Sequence, residues 1–201
     1  MNSLYVLDLI GTFVFAISGT RAAADKNMDL FGAAFIGFTT ALGGGTIRDI
    51  LLGTQPVNWF YDETYLWVIL SAVIFTYLFN SLTHKLKATL FLFDTIGLGV
   101  FTIIGIEKSI NLGITPPYAL IMGMVSAVVG GIIRDTFCNE IPLIFRKEIY
   151  ATACLIGGSV LLILTQFYQI NNIASYILAI LIVLAIRIAA IKWELKLPTL
   201  N

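Results

Sequence analysis

The chain has 201 residues, of which 58% are hydrophobic and only 12% charged, with a formal net charge of zero and a mean hydropathy of +0.92. A water-soluble domain carries roughly a quarter charged residues, so the composition excludes one and implies that lipid supplies much of the solvent. The zero balance says little by itself, and no nucleic-acid partner is expected.

Seven segments are long enough to span a bilayer. The first runs from about Leu4 to Thr20 and leads into a polar link with Arg21, Asp25, Lys26 and Asp29. It lacks a basic leader and carries Asp8, so no removable signal peptide is expected. The second runs from Leu30 to about Leu52 and contains Gly43-Gly44-Gly45. A loop with Pro56, Asp62 and Glu63 precedes the third, about Tyr65 to Leu82, and His84-Lys85-Leu86-Lys87 forms a short polar connection in which His84 reads as solvated. The fourth covers about Thr89 to Ile106. Glu107 and Lys108 open a turn ending at Pro116-Pro117, which suits the first turn of the next helix. The fifth, Tyr118 to Cys138, contains Gly130-Gly131; the sixth runs from Ile149 to Phe167 and the seventh from Ile173 to Ile191. At ~1.5 Å of rise per residue each could cross a ~30 Å hydrocarbon core.

With seven spans the loops alternate between two sides. One side holds Arg21, Lys26, Lys85, Lys87, Arg146, Lys147, Lys192 and Lys196, with Arg187 close by, whereas the other holds only Lys108. Basic residues stay cytoplasmic, so the N-terminus is expected outside and the C-terminus inside, in a multi-pass plasma (inner) membrane protein. Trp59, Tyr61, Tyr65 and Trp67 gather where an outer aromatic belt belongs. Cys138 and Cys154 read as apolar fillers, and no metal-ligand cluster or cofactor motif is present in the sequence.

A shift of 86 positions superposes the sequence on itself. Asp8 falls on Asp94, Gly11 on Gly97, Phe15 on Phe101 and Gly19 on Gly105. Ala33, Gly37 and Ala41 fall on Ala119, Gly123 and Ala127; Gly44-Gly45 on Gly130-Gly131; Ile47-Arg48-Asp49 on Ile133-Arg134-Asp135; and Pro56 on Pro142. The expected fold is therefore an all-α membrane protein with two gap-free three-helix repeats, residues 4–82 and 90–167, and a seventh helix at 173–191. Three spans per unit is odd, so the second unit enters the membrane inverted, a plan that places a transport site near the midplane between the repeats. The seventh helix would give peripheral support or a subunit contact.

The glycine runs, Gly43, Gly44 and Gly45 and then Gly130 and Gly131, are expected to break their helices, since glycine costs roughly 1 kcal/mol relative to alanine in a helix interior. Irregular backbone at depth needs a wet cavity; the bland reading is close helix packing. Arg48, Asp49, Arg134 and Asp135 are costly in a span and should face the bundle interior, as ion pairs or as charged gates. Neighbours on a helix point about 100° apart, so Arg48 and Asp49 are expected to find partners on other helices. Asp8 stands at the same end as Arg48, and Asp94 at the same end as Arg134. Thr12, Ser18, Thr40 and Ser126 offer hydroxyls, beside Thr39, Thr46, Thr95 and Thr102; each could meet a cation or bond back to its own helix.

The duplicated Gly-Gly-x-x-Arg-Asp motif, Gly44-Gly45-Thr-Ile-Arg48-Asp49 and Gly130-Gly131-Ile-Ile-Arg134-Asp135, resembles that of the prokaryotic trimeric intracellular cation (TRIC) channel family. Some bacterial members are also labelled glycine-transporter-domain membrane proteins. The resemblance extends from about Tyr5 to Ile191. It implies a homotrimer in the lipid bilayer, each protomer with its own hydrophilic pore for potassium and some sodium, lined by the second and fifth helices. Lys108 matches a lysine that relatives often carry near the end of the fourth helix. The second unit departs from the pattern, with Val129 in place of the first glycine. A potassium-permeable cation channel is the first reading, and a secondary transporter of a small neutral solute such as glycine is the alternative. A membrane scaffold would leave the buried charges without a use. An enzyme is not expected, because no group of nucleophile, base and electrophile can be assembled.

Overall fold

The computed structural model describes residues 3–79, 87–166, 168, 170 and 172–198, with the side chains of 87–89 and 172 outside that description. His84, Lys85, the Lys87 side chain and the expected ends of the third and sixth spans, Leu82 and Phe167, also lie outside it. Among the described residues there are seven α-helices: α1 (Ser3–Asp25), α2 (Leu30–Leu51), α3 (Thr64–Leu78), α4 (Lys87–Asn111), α5 (Pro116–Phe137), α6 (Ala151–Gln166) and α7 (Asn172–Lys192). Short 3-10 turns at Asn58–Tyr61 and Leu143–Phe145 precede α3 and α6. Five helices are long and apolar enough to cross a membrane; α3 and α6, with 15 and 16 residues, are shorter. Within the described residues these two rise by about 22–24 Å, and the chain continues past Phe79 and Gln166 into residues outside that description.

Local signals set the ends of these helices. Asp29 caps α2, its side chain accepting from the Gly32 N–H at 2.7 Å. Pro116 and Pro117 open α5, where no backbone donor is missed. Like α7 at Glu194, four helices of the two units close on a residue in the left-handed region, at Asn27, Gly53, Gly113 and Asn139. These form two pairs 86 positions apart, and their closing bonds repeat: Met28 N–H to Ala23 O against Ile114 N–H to Ser109 O, and Thr54 N–H to Asp49 O against Glu140 N–H to Asp135 O. The sequence correspondence is thus also a correspondence of backbone geometry.

Helices α1, α2, α4 and α5 form the centre. α1 packs on α2, α4 and α3, α4 packs on α5 and α7, and α2 crosses α5. The tilted ring pair Phe15 and Phe101, with centroids 5.0 Å apart, lies in the middle of the core and is at most 2% exposed. Each ring rests on the other unit's glycine, since a Cβ on Gly97 would meet Phe15 at 2.1 Å and one on Gly11 would meet Phe101 at 3.1 Å. α7 packs on α6 and α4. Large apolar side chains, including Phe31, Leu66, Leu70 and Ile177, cover the periphery and are exposed. That is the expected surface for lipid contact rather than a defect of packing.

Candidate functional site: two charged mouths

α2 and α5 each run as one α-helix through their glycine runs. This corrects the expected helix breaks at Gly43–Gly45 and Gly130–Gly131. The physical reason is proximity. A Cβ on Gly44 would lie 2.1 Å from the Ser126 carbonyl oxygen, and one on Gly130 would lie 2.3 Å from the Thr40 carbonyl oxygen. Ser126 and Thr40 are themselves 86 positions apart, so the two helices cross by reciprocal backbone contact. Gly43 faces the Ile133 side chain and Gly131 the Tyr150 hydroxyl, whereas the nearest atom to a Cβ on Gly45 is the Arg48 guanidinium at 3.6 Å.

The crossing places an Arg-Asp pair at each end of the bundle. Contrary to the expectation from helical geometry, each arginine pairs with its own neighbour: Arg48 Nε donates to Asp49 Oδ1 at 2.8 Å, and Arg134 Nε donates to Asp135 Oδ1 at 2.8 Å. The angular separation of the two Cβ atoms is spanned by the long arginine stem, which folds back through Nε and leaves the Nη ends for other helices. The second oxygen of each aspartate ties down the following turn. Asn58 N–H donates to Asp49 Oδ2 at 3.3 Å, and Leu143 N–H donates to Asp135 Oδ2 at 3.1 Å.

The remaining partners differ between the ends. At the end holding Asp8, Lys108 Nζ donates to Asp49 Oδ1 at 2.7 Å, Arg48 Nη1 reaches Ser126 Oγ at 3.4 Å, and Asp8 accepts from the Tyr65 hydroxyl at 2.7 Å. Asp8, Arg48, Asn58, Tyr65 and Lys108 line a cavity of about 330 Å³. A smaller void of about 20 Å³ lies between Asp8, Thr12, Gly45, Asp49 and Phe101, room for about one water molecule. At the other end Arg134 Nη1 donates to Asp94 Oδ1 at 2.5 Å and to Ser18 Oγ at 2.6 Å. Arg134 and Asp94 are both 0% exposed. Two positive and two negative groups balance formally at the first mouth; one arginine faces two aspartates at the second.

The buried polar groups around the crossing differ in their partners, and Thr46 accepts from the Trp59 indole N–H at 3.1 Å. Thr40 and Thr102 bond back to Ile36 O and Leu98 O, at 2.6 and 2.7 Å. Ser18 and Ser126 accept from the two arginines. Thr12 and Thr95 Oγ1, Asp94 Oδ2 and Arg134 Nη2 are buried without a partner among the described residues. Among those residues there is also no His/Cys/Asp/Glu group able to hold a metal. Outside the spans, hydrogen bonds from Thr64 and Tyr5 hold the Asp62 carboxyl below the usual range.

Tyr65, expected in the outer aromatic belt, belongs to one mouth, and Tyr150 to the other; neither that role nor the amides of Asn58 and Leu143 were read from the sequence. Both pairs stand 85 positions apart, one short of the register that aligns Pro56 with Pro142. The second unit is one residue shorter beyond the proline, which corrects the expected gap-free repeat.

Fold and site together define a multi-pass helical membrane protein with ionised groups enclosed at both ends of its central helix crossing. The family model described as glycine transporter matches twice, over residues 5–81 and 91–166. The chain is 44% identical over 197 residues to the UPF0126 inner membrane protein YadS of Escherichia coli, covering 98% of this chain and 95% of that one. It is 39% identical over 200 residues to a UPF0126 membrane protein of Deinococcus radiodurans, covering 98% and 92%. The solved structure of the TRIC trimeric intracellular cation channel orthologue from Rhodobacter sphaeroides superposes with a TM-score of 0.89 at 32% identity, covering 97% of this chain and all of that one. A prokaryotic TRIC channel crystallised in 0.5 M KCl superposes with a TM-score of 0.87 at 33% identity, covering 96% and 98%. The chain belongs to this family, the glycine-transporter-model proteins that include the prokaryotic TRIC channels.

Proposed function

We propose that this protein is a cation channel of the inner membrane, permeable to potassium, with one pore inside each protomer of a homotrimer. The pore follows the contact between the two inverted units, and the N-terminus lies outside. The observation that carries the reading is the pair of enclosed Arg-Asp clusters on crossing helices, one of them opening on a cavity of about 330 Å³. Charges at such depth are costly and belong where water and ions pass. The relatives support the chemistry, since the superposing structures are TRIC cation channels and YadS is an inner membrane protein. Arg48, Asp49, Asp8 and Lys108 act as the outer gate, Arg134, Asp135 and Asp94 as the inner gate, and Thr12, Ser18, Thr40 and Ser126 lie between them. Potassium or sodium is the cargo, and no cofactor is required.

One observation favours a second reading. One mouth lines a cavity while Arg134 and Asp94 at the other are fully enclosed, an asymmetry that a secondary transporter of a small neutral solute such as glycine would use, and the family model bears the description glycine transporter. Liposome flux separates the two. Potassium efflux at channel rates without saturable glycine counter-flow is the expected result, and glycine counter-flow without channel-scale ion flux reverses the assignment.

Lys108 gives a sharper test of the outer mouth. Its ammonium is the second cation on Asp49 and repels permeant cations at the entrance. Lys108→Gln is expected to move the reversal potential in a KCl gradient toward the potassium value, most strongly at low ionic strength where screening is weakest. An unchanged reversal potential removes Lys108 from the pathway.

A further inference from the structure

One more permanent charge is enclosed within the bundle, on the helix that has no counterpart in the other unit. Arg187 of α7 is 1% exposed, with Cζ 4.9 Å from the Phe91 ring centre and 5.0 Å from that of Tyr150. Nη1 donates to the Ile149 carbonyl at 2.9 Å and lies 3.5 Å from Glu148 Oε2. Nε and Nη2 have no partner among the described residues. A helix that needed only to pack would carry an aliphatic residue here, as at Ile186 and Ile188 on either side, because an incompletely paired guanidinium among helices is costly.

The ring beneath this cation belongs to the closed mouth. The Tyr150 hydroxyl stands 3.5 Å from Asp94 Oδ1, the same oxygen that receives Arg134 Nη1. Arg187, Tyr150, Asp94 and Arg134 therefore form one continuous series. The open mouth supplies a comparison within the molecule. Among the described residues no cation lies over the Tyr65 ring, its hydroxyl donates to Asp8 at 2.7 Å, and Arg48 turns to Asp49 and Ser126 instead. Where the tyrosine is unclamped it takes the carboxylate and the mouth opens on a cavity. Where it is clamped, the carboxylate goes to the arginine.

We propose that Arg187 is a positioning residue through which α7 keeps the inner mouth closed. Gripping Tyr150 against Phe91, the guanidinium holds the tyrosine hydroxyl at the limit of hydrogen bonding and leaves Asp94 to Arg134. A cation over two aromatic faces is attracted to both, which fixes the ring planes without a hydrogen bond. This inference rests on the channel reading only for its effect on ion flux.

The test uses the full chain in liposomes, with Cys138→Ala and Cys154→Ala removing the native thiols and Ser18→Cys as a probe beside Arg134. A membrane-impermeant cationic thiol reagent reads the opening of the mouth. With Arg187 present the probe is expected to be protected. Arg187→Leu should label about ten-fold faster, the factor by which a closed state loses weight for each 1.4 kcal/mol. Arg187→Lys, which keeps a cation over the rings, should stay close to the parent. Faster labelling with unchanged potassium flux supports the positioning role and defeats the channel reading. Equal labelling of a folded Arg187→Leu protein overturns the proposal, as does Lys labelling as fast as Leu. Should Arg187→Leu fail to fold, Phe91→Leu removes half of the clamp and retains the charge; unaltered labelling there overturns the proposal as well.

Discussion

Gly44→Ala and Gly130→Ala are each expected to lower the thermal midpoint of the detergent-solubilised protein by several degrees, while Gly45→Ala leaves it nearly unchanged. The two sensitive positions would drive a methyl group to 2.1 and 2.3 Å from backbone carbonyl oxygens of the opposing helix. A carbonyl in a helix cannot swing away as a side-chain end can, so α2 and α5 must move apart and lose contact along the crossing. Overpacking a tight core costs about 1–3 kcal/mol, and these sites fall at the upper end because the obstacle is backbone. At Gly45 the nearest atom is the tip of the flexible Arg48 side chain at 3.6 Å, ordinary van der Waals contact. On propensity alone, alanine should stabilise all three helix positions by roughly 1 kcal/mol. A thermal scan in which Gly44→Ala or Gly130→Ala is neutral or stabilising would show that the glycines serve flexibility instead of close approach.

The second large effect is expected at the closed mouth. Arg134→Ala leaves Asp94 and Asp135 enclosed with no cation, and removing one partner of a buried pair typically costs about 3–5 kcal/mol. Arg48→Ala should be milder, because Lys108 remains on Asp49 and Asp8 keeps the Tyr65 hydroxyl. Adding Asp94→Asn to Arg134→Ala removes the deeper of the two stranded charges, so the double variant should recover part of the stability lost by the single one. On the proposed function it should also raise potassium flux above the parent, since the bond that shuts the inner mouth is gone. Equal destabilisation by Arg134→Ala and Arg48→Ala would contradict the asymmetry of the two mouths. A double variant with parental flux would remove Arg134 and Asp94 from the gate.

Both predictions draw on the same arrangement. The two units are alike at the backbone, down to the closing bonds at their helix ends, yet their charged groups occupy different hydrogen-bonding states. In one unit tyrosine holds the first-helix aspartate; in the other, arginine holds it. An inverted repeat offers two such states at each end, and the groups without a counterpart in the other unit, Arg187 of α7 and Lys108 of α4, set the two ends apart. The position equivalent to Lys108 in the first unit is Ala22, so no lysine is available there to balance Asp135 as Lys108 balances Asp49.

Much of the architecture was legible in the residues. Hydrophobic length, the prolines at 116 and 117 and the 86-position register pointed to the helices and their pairing, because lipid requires each spanning segment to satisfy its own backbone. The start of α6 at Ala151 was not legible, since Ile149 and Tyr150 are apolar and hydropathy cannot tell their bend from helix. The Arg48-Asp49 and Arg134-Asp135 pairs were hidden by reasoning from Cβ directions, which the arginine stem overrides.

By itself, the amino-acid sequence determined that this chain lives in a membrane, that it contains one unit twice, and that ionised groups recur near the second helix's end in each copy. Those properties follow from transfer energies and chain-local spacing. Only the tertiary structure decided what the glycines do, which tyrosines join the charges, and that the two mouths hold their first-helix aspartates differently. Each of these depends on atoms brought together from distant positions within a few ångströms, a distance at which a single methyl group or one extra cation changes the outcome.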